Sequence, residues 1–358
     1  MSYQLSPNLL GIEPYLVPAD YASEAALYSR LDSYLEAASH QGWLSDQTIA
    51  VFPEYIGTWL AVTGEGDAPS RARILNSAMA RVVLRRPIPF LRELLAGFQK
   101  RRENRDTGTR GQGDADESRI SILDSRIKKD RVTIALLRLK AGRMASLYQS
   151  IFSRLASTYR ITLVAGSILL PSPSVQDGQV TAGRGPVYNI SAVFDPHGCA
   201  HASLATKAFP IARELPFVTP GRVSDLPAFD TPAGRLGVLV CADSWYPQAY
   251  AQLRALGADW IAVPSALFAA DWEKPWGGYT QGTTPPDVDP RDAGRLTEGE
   301  AWQRYSLPGR MALSGARTGI NVFLKGKLWD LGSLGGYAQL IPAHKVVTIP
   351  SLYNLWLE

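Results

Sequence analysis

The pattern of hydrophobic and polar residues changes twice near the start of the chain. The apolar run NLLGIEPYLV at 8–17 predicts a strand, apolar residues at helical spacing across 22–42 predict a helix, and TIAVFPE at 48–54 predicts a second strand. A strand, a helix and a strand in this order favour two parallel strands joined by a helical crossover. The opening is therefore typical of a layered α/β fold.

The same alternation continues through the rest of the sequence. Helical spacing predicts helices at 130–158, 246–257 and about 301–317, and apolar runs predict strands within 160–171, 186–198, 234–241, 258–268 and 320–326. The closing stretch VVTIPSLYNLWLE, 346–358, is apolar and needs a surface to cover. No fixed-period repeat interrupts this order.

Two regions depart from the alternation. Residues 70–101 predict two helices, and the polar, glycine-containing residues 101–118 predict a mobile loop. The part at 87–101 ends in basic residues; a packed helix is favoured there over a membrane-surface or partner helix. The Pro/Gly-rich stretch 271–300 is too long for a plain connection, so it is either a pocket-forming loop or disordered.

Composition favours a globular protein rather than a nucleic-acid-binding or membrane protein. The 358 residues are 46% hydrophobic, enough for one large core, and we expect a single domain over 1–358 with an inserted segment at about 60–130 and a tail at about 340–358. The net charge is only +4 and is not gathered in a basic stripe, so nucleic acid is not an expected partner.

The two cysteines and the chain's first residues bear on where the protein works. With only Cys199 and Cys241, and a start (MSYQLSPNLL) unlike a signal peptide, we expect a reducing, cytoplasmic setting. No apolar window reaches the length that a membrane span needs, so no span is predicted.

Cys241 is the first candidate for chemistry. It stands where the apolar run GVLV gives way to a helical pattern, and a helix N-terminus favours a thiolate. A buried, inert cysteine at a strand end is equally compatible with this pattern. Residue type and position alone leave both interpretations open.

A thiol nucleophile needs a base and a group that stabilises an oxyanion. No histidine lies in a recognisable Cys/His protease context; the four are His40, His197, His201 and His344. Glu54 and Lys207 also follow strand-like segments, so a layered α/β fold could bring them to the same edge as Cys241. Taken singly, each is more typical of a solvated surface charge.

Four segments in register resemble the nitrilase, or carbon–nitrogen hydrolase, superfamily. They cover roughly residues 8–340, and the part around Cys241 is the most specific; they are TIAVFPEYIG, FDPHGCAHASLATKAFP, GRLGVLVCADSWYPQAYAQLRALGADWIAVPSA and AWQRYSLPGRMALSGARTGINVFLKG. The resemblance implies an α/β fold, specifically a four-layer α-β-β-α sandwich, which dimerises through its helices.

The resemblance also implies roles for individual residues. Glu54 would be the general base, Lys207 would stabilise the tetrahedral intermediate with the backbone N–H of Ala242, and Cys241 would be the nucleophile. Glu214, in RELPF, matches a second carboxylate that would orient Lys207 and the substrate, although the surrounding motif is altered. No cofactor or metal is expected.

The residues after the nucleophile bear on the bond that is attacked. CADSWYP resembles the amidase and carbamoylase members more than the true nitrilases, so amide or N-carbamoyl hydrolysis is favoured over nitrile hydrolysis. Gln248, the insertion at 60–130 and the segment GSLGGYAQL depart from the family pattern and indicate a divergent subfamily. The substrate class within amides therefore stays open.

Several side chains are candidates for a substrate pocket, each with a structural alternative. Trp272, Trp276 and Tyr279 in the long loop either wall the pocket or plug the core. Asp243 either holds the loop after Cys241 or caps a helix, and capping is favoured. The remaining pocket candidates are Tyr55 and Trp245. Cys199, with His197 and His201, supplies too few ligands for a zinc site.

Three alternatives to hydrolysis of an amide remain. The same three residues could hydrolyse a nitrile, or pass the acyl group to an amine instead of water. A non-catalytic scaffold that kept the fold is a third possibility, which the presence of Glu54, Lys207 and Cys241 together disfavours.

Overall fold

The computed structural model describes residues 6–64, 80, 83–84, 86–94, 130–280, 282–342 and 344–356. Most of the two helices predicted within 70–101 and all of the loop predicted at 101–118 lie outside the described residues. Residues 87–94 are helical, with Phe90 buried and Ile88 and Leu91 exposed. None of the described helices is both long and apolar enough to cross a membrane.

Strands dominate the described part of the chain. In chain order they are β1 (Asn8–Ile12), β2 (Tyr15–Leu16), β3 (Thr48–Val51), β4 (Thr162–Val164), β5 (Ile168–Gln176), β6 (Gln179–Ser191), β7 (Val193–Phe194), β8 (Ala205–Thr206), β9 (Ala228–Thr231), β10 (Gly234–Val238), β11 (Trp260–Ser265), β12 (Leu267–Phe268), β13 (Thr318–Phe323), β14 (Lys325–Lys327), β15 (Ser333–Gly335), β16 (Gln339–Ile341), β17 (Lys345–Ile349) and β18 (Leu352–Trp356). The helices are α1 (Glu24–His40), α2 (Arg131–Tyr159), α3 (Pro247–Ala255), α4 (Glu298–Tyr305) and α5 (Leu307–Arg310).

Two large sheets share the same plan. The first has the order β17-β18-β1-β3-β4-β7 and the second the order β16-β13-β11-β10-β9. In each, three parallel strands form the centre, β1, β3 and β4 in one and β13, β11 and β10 in the other, while the flanking strands are antiparallel. The strand-helix-strand opening predicted from the sequence is the parallel pair β1 and β3.

The sheets pack face to face with helices outside them. Side chains of both sheets, among them Leu9, Val51, Val238 and Ile320, form one buried cluster between them. The other face of the first sheet packs on α1 and α2, and the other face of the second sheet packs on α3 and α5. The layers are thus helix, sheet, sheet, helix, and the predicted α-β-β-α sandwich is confirmed.

The two sheets lie in close contact at Gly11. A Cβ at this position would lie 2.3 Å from Cδ1 of Ile320 in the facing sheet. Only a residue without a side chain fits this distance.

One strand predicted at 160–171 is broken into β4 and β5. Gly166 has a φ of +62°, and a Cβ there would lie 2.1 Å from the carbonyl oxygen of Pro53. The chain turns at this glycine under the segment that carries Glu54, and β5 then pairs with β6 in a separate three-stranded sheet with β8. The apolar pattern continues across the turn, so the sequence does not indicate that one strand ends and another begins there.

The helix predicted at 301–317 is shorter and divided. α4 ends at Tyr305 because Ser306 has φ −110° and ψ −147°, outside the helical region, and α5 covers only Leu307–Arg310. The apolar tail supplies β17 and β18, which extend the first sheet beyond β1.

Candidate active site

Three chain segments meet at the edge of the sandwich where the parallel strands end. Glu54 follows β3, Cys241 follows β10, and Lys207 follows β8, whose neighbour is β6. The backbone N–H of Glu54 donates to the carbonyl of Ser265 at the end of β11, which joins the two sheets at this edge. The structure brings together the three residues that the sequence predicted to share one edge.

Lys207 lies between two carboxylates. Its Nζ is 2.8 Å from Oε1 of Glu54 and 2.8 Å from Oε2 of Glu214. The exposed fractions are 1% for Lys207 and Glu54 and 3% for Glu214. Charges removed from water to this degree are stable only when they are paired and hydrogen bonded, as they are here.

Cys241 begins the short 3₁₀ helix Cys241–Trp245 beside this group. Its side chain is hydrogen bonded to Glu54, and the backbone N–H of Ala266 donates to its sulfur. The φ of Cys241 is 51°, in the left-handed region that costs free energy for a residue with a side chain. The backbone strain therefore coincides with the candidate nucleophile.

The thiolate that a helix N-terminus would favour is not favoured here. Burial, and then the charge of Glu54, raises the pKa of the Cys241 thiol well above its ordinary value, although Lys207 acts in the opposite direction. Cys241 therefore rests as a thiol and can react only if its proton is taken during the reaction.

The charges of Glu54 and Lys207 respond to burial in different ways. Burial raises the pKa of Glu54, with a further increase from Glu214 and a partial decrease from Lys207. Burial alone would lower the pKa of Lys207, but the charges of Glu214 and Glu54 outweigh it and raise that pKa well above its ordinary value. The pair thus combines a strengthened base with a permanent cation.

Glu214 is held by donors on both oxygens. The hydroxyl of Tyr55 donates to Oε1, and the backbone N–H of Ile211 donates to Oε2 at 2.7 Å. Tyr55 has a φ of 64°, and Ser167 Oγ accepts a hydrogen bond from its backbone N–H at 2.9 Å. Tyr55, predicted as a pocket residue, contacts Glu214 through its hydroxyl.

Asn189 belongs to the same group and was not found from the sequence. It is fully buried, and its Nδ2 donates to Oε1 of Glu54 at 2.9 Å. The only signal available was a polar residue inside the apolar strand pattern PVYNISAVF, which by itself is typical of many strands.

Asp243 joins the segment of Lys207 to that of Cys241. Its Oδ1 accepts from the backbone N–H groups of Ala208 at 2.9 Å and Phe209 at 2.8 Å, and its Oδ2 accepts from Val240 at 3.3 Å. Burial raises its pKa to about 7, which the backbone donors only partly offset. Besides capping its own 3₁₀ helix, as favoured from the sequence, Asp243 fixes the backbone beside Lys207.

Aromatic side chains pack in one buried cluster with Cys241. Trp245 stacks on Trp276 at a centroid distance of 5.7 Å and meets Trp302 edge to face at 4.8 Å. Trp276 is 4% exposed and packs in the same cluster as Cys241. Trp272 is partly exposed and contacts Phe323.

The stretch 271–300, described except for residue 281, covers this aromatic cluster. Its two ends pair with each other, since Trp276 N–H donates to Leu296 at 2.8 Å and Gly294 N–H donates to Trp276 at 2.8 Å. Tyr279 donates its hydroxyl to the carbonyl of Trp245 at 2.8 Å. Of the two alternatives left by the sequence, the structure has a folded loop against the site.

The remaining candidates lie apart from, or at the edge of, this group. Ala242 is half-buried directly after Cys241. Cys199 is exposed in a turn in which Asp195 accepts from the N–H groups of His197 and Cys199. Among the described residues, no cluster of three or more His, Cys, Asp or Glu side chains has the arrangement of a metal site.

Comparison with known proteins connects this geometry to a family. The model of the carbon-nitrogen hydrolase family matches residues 138–279, which include Lys207 and Cys241. Two curated relatives named deaminated glutathione amidase match short stretches, one from Yersinia enterocolitica at 42% identity over 64 residues and one from Dictyostelium discoideum at 38% over 53. These stretches cover 18% and 15% of this chain and only 22% and 18% of the relatives.

Solved structures match the whole chain in fold. A mutant of the Nesterenkonia AN1 amidase from the nitrilase superfamily has a TM-score of 0.52 at 14% identity, covering 100% of this chain and 94% of that one. Saccharomyces cerevisiae Nit3, a member of branch 10 of the same superfamily, has a TM-score of 0.51 at 14% identity, covering 98% and 90%. The sandwich of this protein is therefore the fold of these two solved structures. The residues that the carbon-nitrogen hydrolase model matches, 138–279, lie within this sandwich.

Proposed function

We propose that the protein hydrolyses a non-peptide amide or N-carbamoyl C–N bond through a thioester on Cys241. The observation that carries this proposal is the buried ion pair of Glu54 and Lys207, 2.8 Å apart, with Glu54 hydrogen bonded to the Cys241 thiol. A base with a raised pKa, a cation and a thiol in one water-poor site are the groups that acyl transfer requires.

Acylation begins with proton transfer from Cys241 to Glu54 as the sulfur attacks the carbonyl carbon. The carbonyl oxygen gains negative charge, which the Lys207 ammonium and the Ala242 N–H stabilise. The C–N bond then breaks, and the proton on Glu54 passes to the leaving nitrogen. Ammonia or an amine leaves, and an acyl thioester remains on Cys241.

Deacylation uses the same groups with water as the nucleophile. Glu54 takes a proton from water as the water oxygen attacks the thioester carbon, and the second tetrahedral intermediate is again stabilised by Lys207. Its collapse breaks the C–S bond and returns the proton to sulfur. The products are a carboxylic acid, or a carbamic acid from a carbamoyl group, and the resting thiol.

Amide substrates are favoured over nitriles by the sequence CADSWYP after the nucleophile and by the names of the relatives matched. Transfer of the acyl group to an amine would use the same first half-reaction. A non-catalytic scaffold would not need two carboxylates and a lysine buried beside a strained cysteine, an arrangement with a folding cost.

We extend the proposal to the setting in which the enzyme works. It acts on a small-molecule amide in the cytoplasm, as one catalytic domain that forms homodimers or larger homo-oligomers. Size-exclusion chromatography with light scattering tests the oligomer, and a monomer at all protein concentrations would contradict it.

The test of the activity is intact mass spectrometry with panels of amides, carbamoyl compounds and nitriles, comparing the wild type with C241A. We expect a Cys241-linked acyl adduct, or turnover, with at least one amide or carbamoyl compound and none with C241A. Absence of turnover and adduct across all panels would sink the proposal. Turnover of nitriles alone would show that the protein hydrolyses nitriles instead of amides.

A further inference from the structure

Asn189 is a polar residue in the interior of β6 with no exposed surface. Its Nδ2 is 2.9 Å from Oε1 of Glu54 and 3.4 Å from Oε1 of Glu214. Ionised carboxylate oxygens accept hydrogen bonds and do not donate them, so the Asn189 amide must turn its NH₂ end towards both. One neutral side chain thus bridges the two acids of the site.

The backbone of Asn189 contacts the third charged residue. Its carbonyl accepts a hydrogen bond of 2.9 Å from the backbone N–H of Lys207, where β8 leaves β6. A single position on β6 therefore fixes Glu54, Glu214 and Lys207 relative to one another.

The hydrogen bonds distinguish the two oxygens of Glu54. Oε1 accepts from Lys207 at 2.8 Å and from Asn189 at 2.9 Å, which occupies both of its lone pairs. The Cys241 side chain, whose hydrogen bond with Glu54 lowers the pKa of that carboxyl, therefore has Oε2 as the oxygen with lone pairs left to accept. Glu214 has no such free oxygen, because Tyr55 and Lys207 donate to its Oε1 while Ile211 and Lys207 donate to its Oε2.

We propose that Asn189 is a positioning residue of the hydrolysis: by holding Oε1 of Glu54 against Lys207, it makes Oε2 the oxygen that exchanges protons with Cys241 and with water. This inference rests on the proposed function. Two carboxylates share one lysine in the site, and the Asn189 donor offsets part of their repulsion without adding charge. The groups that face Glu54 are Lys207, Glu214, Cys241 and Tyr55.

Oδ1 of Asn189 has no hydrogen-bond partner within the described part of the chain. The amide therefore serves the site through its donor end alone. Asn321 on β13 offers a matched control: it is equally buried, its Nδ2 donates to Gln339 at 2.8 Å, and its Oδ1 likewise has no partner among the described residues.

The test measures iodoacetamide alkylation of Cys241 against pH by peptide mass spectrometry, with exposed Cys199 as the reference thiol in the same molecule. Loss of a donor to ionised Glu54 makes that carboxylate easier to protonate, so in N189A the midpoint of the Cys241 profile moves to higher pH. We expect at least about a tenfold slower reaction of Cys241 at neutral pH, with no change at Cys199.

N321A should lower the urea midpoint of unfolding and leave the Cys241 profile as in the wild type. If N189A does not fold, the isosteric N189D, which keeps the volume but replaces donors by acceptors, is measured instead and should slow Cys241 at least as much. If N189A or N189D folds and its Cys241 alkylation has the same pH profile as in the wild type, the inference about Asn189 is overturned, while the proposed function is not. Wild-type Cys241 that reacts no faster than Cys199, together with no acyl adduct from any substrate panel, overturns the proposed function and this inference with it.

Discussion

Glu54 holds its proton more tightly than an exposed glutamate because the site offers almost no water to stabilise its charge. Hydrogen bonds from Lys207 and Asn189 stabilise the charged form of Glu54 and offset part of the missing hydration. The nearby charge of Glu214 destabilises that charged form further. Glu54, the base in the proposed mechanism, is thus a stronger base than its residue type alone implies. The rate of the proposed reaction should therefore depend on pH.

We expect kcat/KM to fall as pH decreases through a midpoint above the usual range of glutamate, because only ionised Glu54 accepts the Cys241 proton. E54Q should lower kcat by about 10²- to 10⁴-fold. The control is E13Q: Glu13 is also buried with a raised pKa, but it binds Phe323 N–H and the hydroxyl of Tyr353. A midpoint that moves in E13Q, or stays in the normal glutamate range in the wild type, would contradict this assignment.

Sequence reasoning found the residues of the site that follow strands and missed the one inside a strand. Glu54 and Cys241 stand where apolar runs end, and parallel strands in layered sheets bring such positions together. Lys207 also follows a strand, but it reaches the site from β8, which is antiparallel to β6 in the separate three-stranded sheet. Asn189 lies within β6, where the alternation of a strand gives no sign that its neighbours are carboxylates. Its partners are distant in sequence, so only the folded chain reveals them.

At the scale of elements, a side chain of α5, that of Arg310, holds the loop at 271–300 in place. Arg310 is 2% exposed and donates to the carbonyl of Tyr305 at 2.8 Å, to Asp287 at 2.6 Å and to the hydroxyl of Tyr279 at 3.3 Å. Tyr279 in turn binds the carbonyl of Trp245. One buried side chain therefore connects the loop, α5 and the helix that begins at Cys241.

R310M should release this loop while the sandwich stays folded. Each acceptor that loses its hydrogen bond at this buried position costs about 1–3 kcal/mol. We expect faster proteolytic cleavage within 271–300 and a higher KM. R291M is the control, because Arg291 is exposed and its ion pair within the described residues is with the nearby Asp289. Equal cleavage rates in the two variants would show that Arg310 does not hold the loop.

The element boundaries that the sequence predicted wrongly share one cause. The chain turns at Gly166 and at Ser306 without a change in hydrophobic pattern, because the residues on both sides are buried in different layers. Periodicity reports burial, and burial continues while the direction of the chain changes. The order of strands and helices predicted a layered α/β fold, and the resemblance of four segments to the carbon–nitrogen hydrolase superfamily implied the α-β-β-α layers; the structure confirms both.

At the scale of the whole molecule, the spacing of the two sheets depends on Gly11. A methyl group there would lie 2.3 Å from Ile320 and 2.7 Å from Val322. The edge that holds the candidate site is built from both sheets, since Glu54 follows a strand of one and Cys241 a strand of the other, so the sheet spacing also affects the distance between these two residues.

G11A should lower the free energy of unfolding by about 1–3 kcal/mol through overpacking. G142A is the control: Gly142 lies on an exposed face of α2 with nothing within 4 Å of an added Cβ, so it should be neutral or stabilise by up to about 1 kcal/mol. Urea denaturation followed by circular dichroism measures both. A G11A midpoint equal to that of the wild type would show that the sheets separate at no cost.

The pairing of β1 with β18 also determines when the first sheet can be completed during synthesis. β1 is bordered on one side by β3 and on the other by β18, and Nδ2 of Asn8 donates to Oδ1 of Asn354 at 2.6 Å, across 346 positions of sequence. While the ribosome makes the intervening chain, one edge of β1 stays open to pairing with other strands. β1 therefore emerges long before its partner strand in residues 345–356, and until those residues are made its unpaired edge is a site for aggregation.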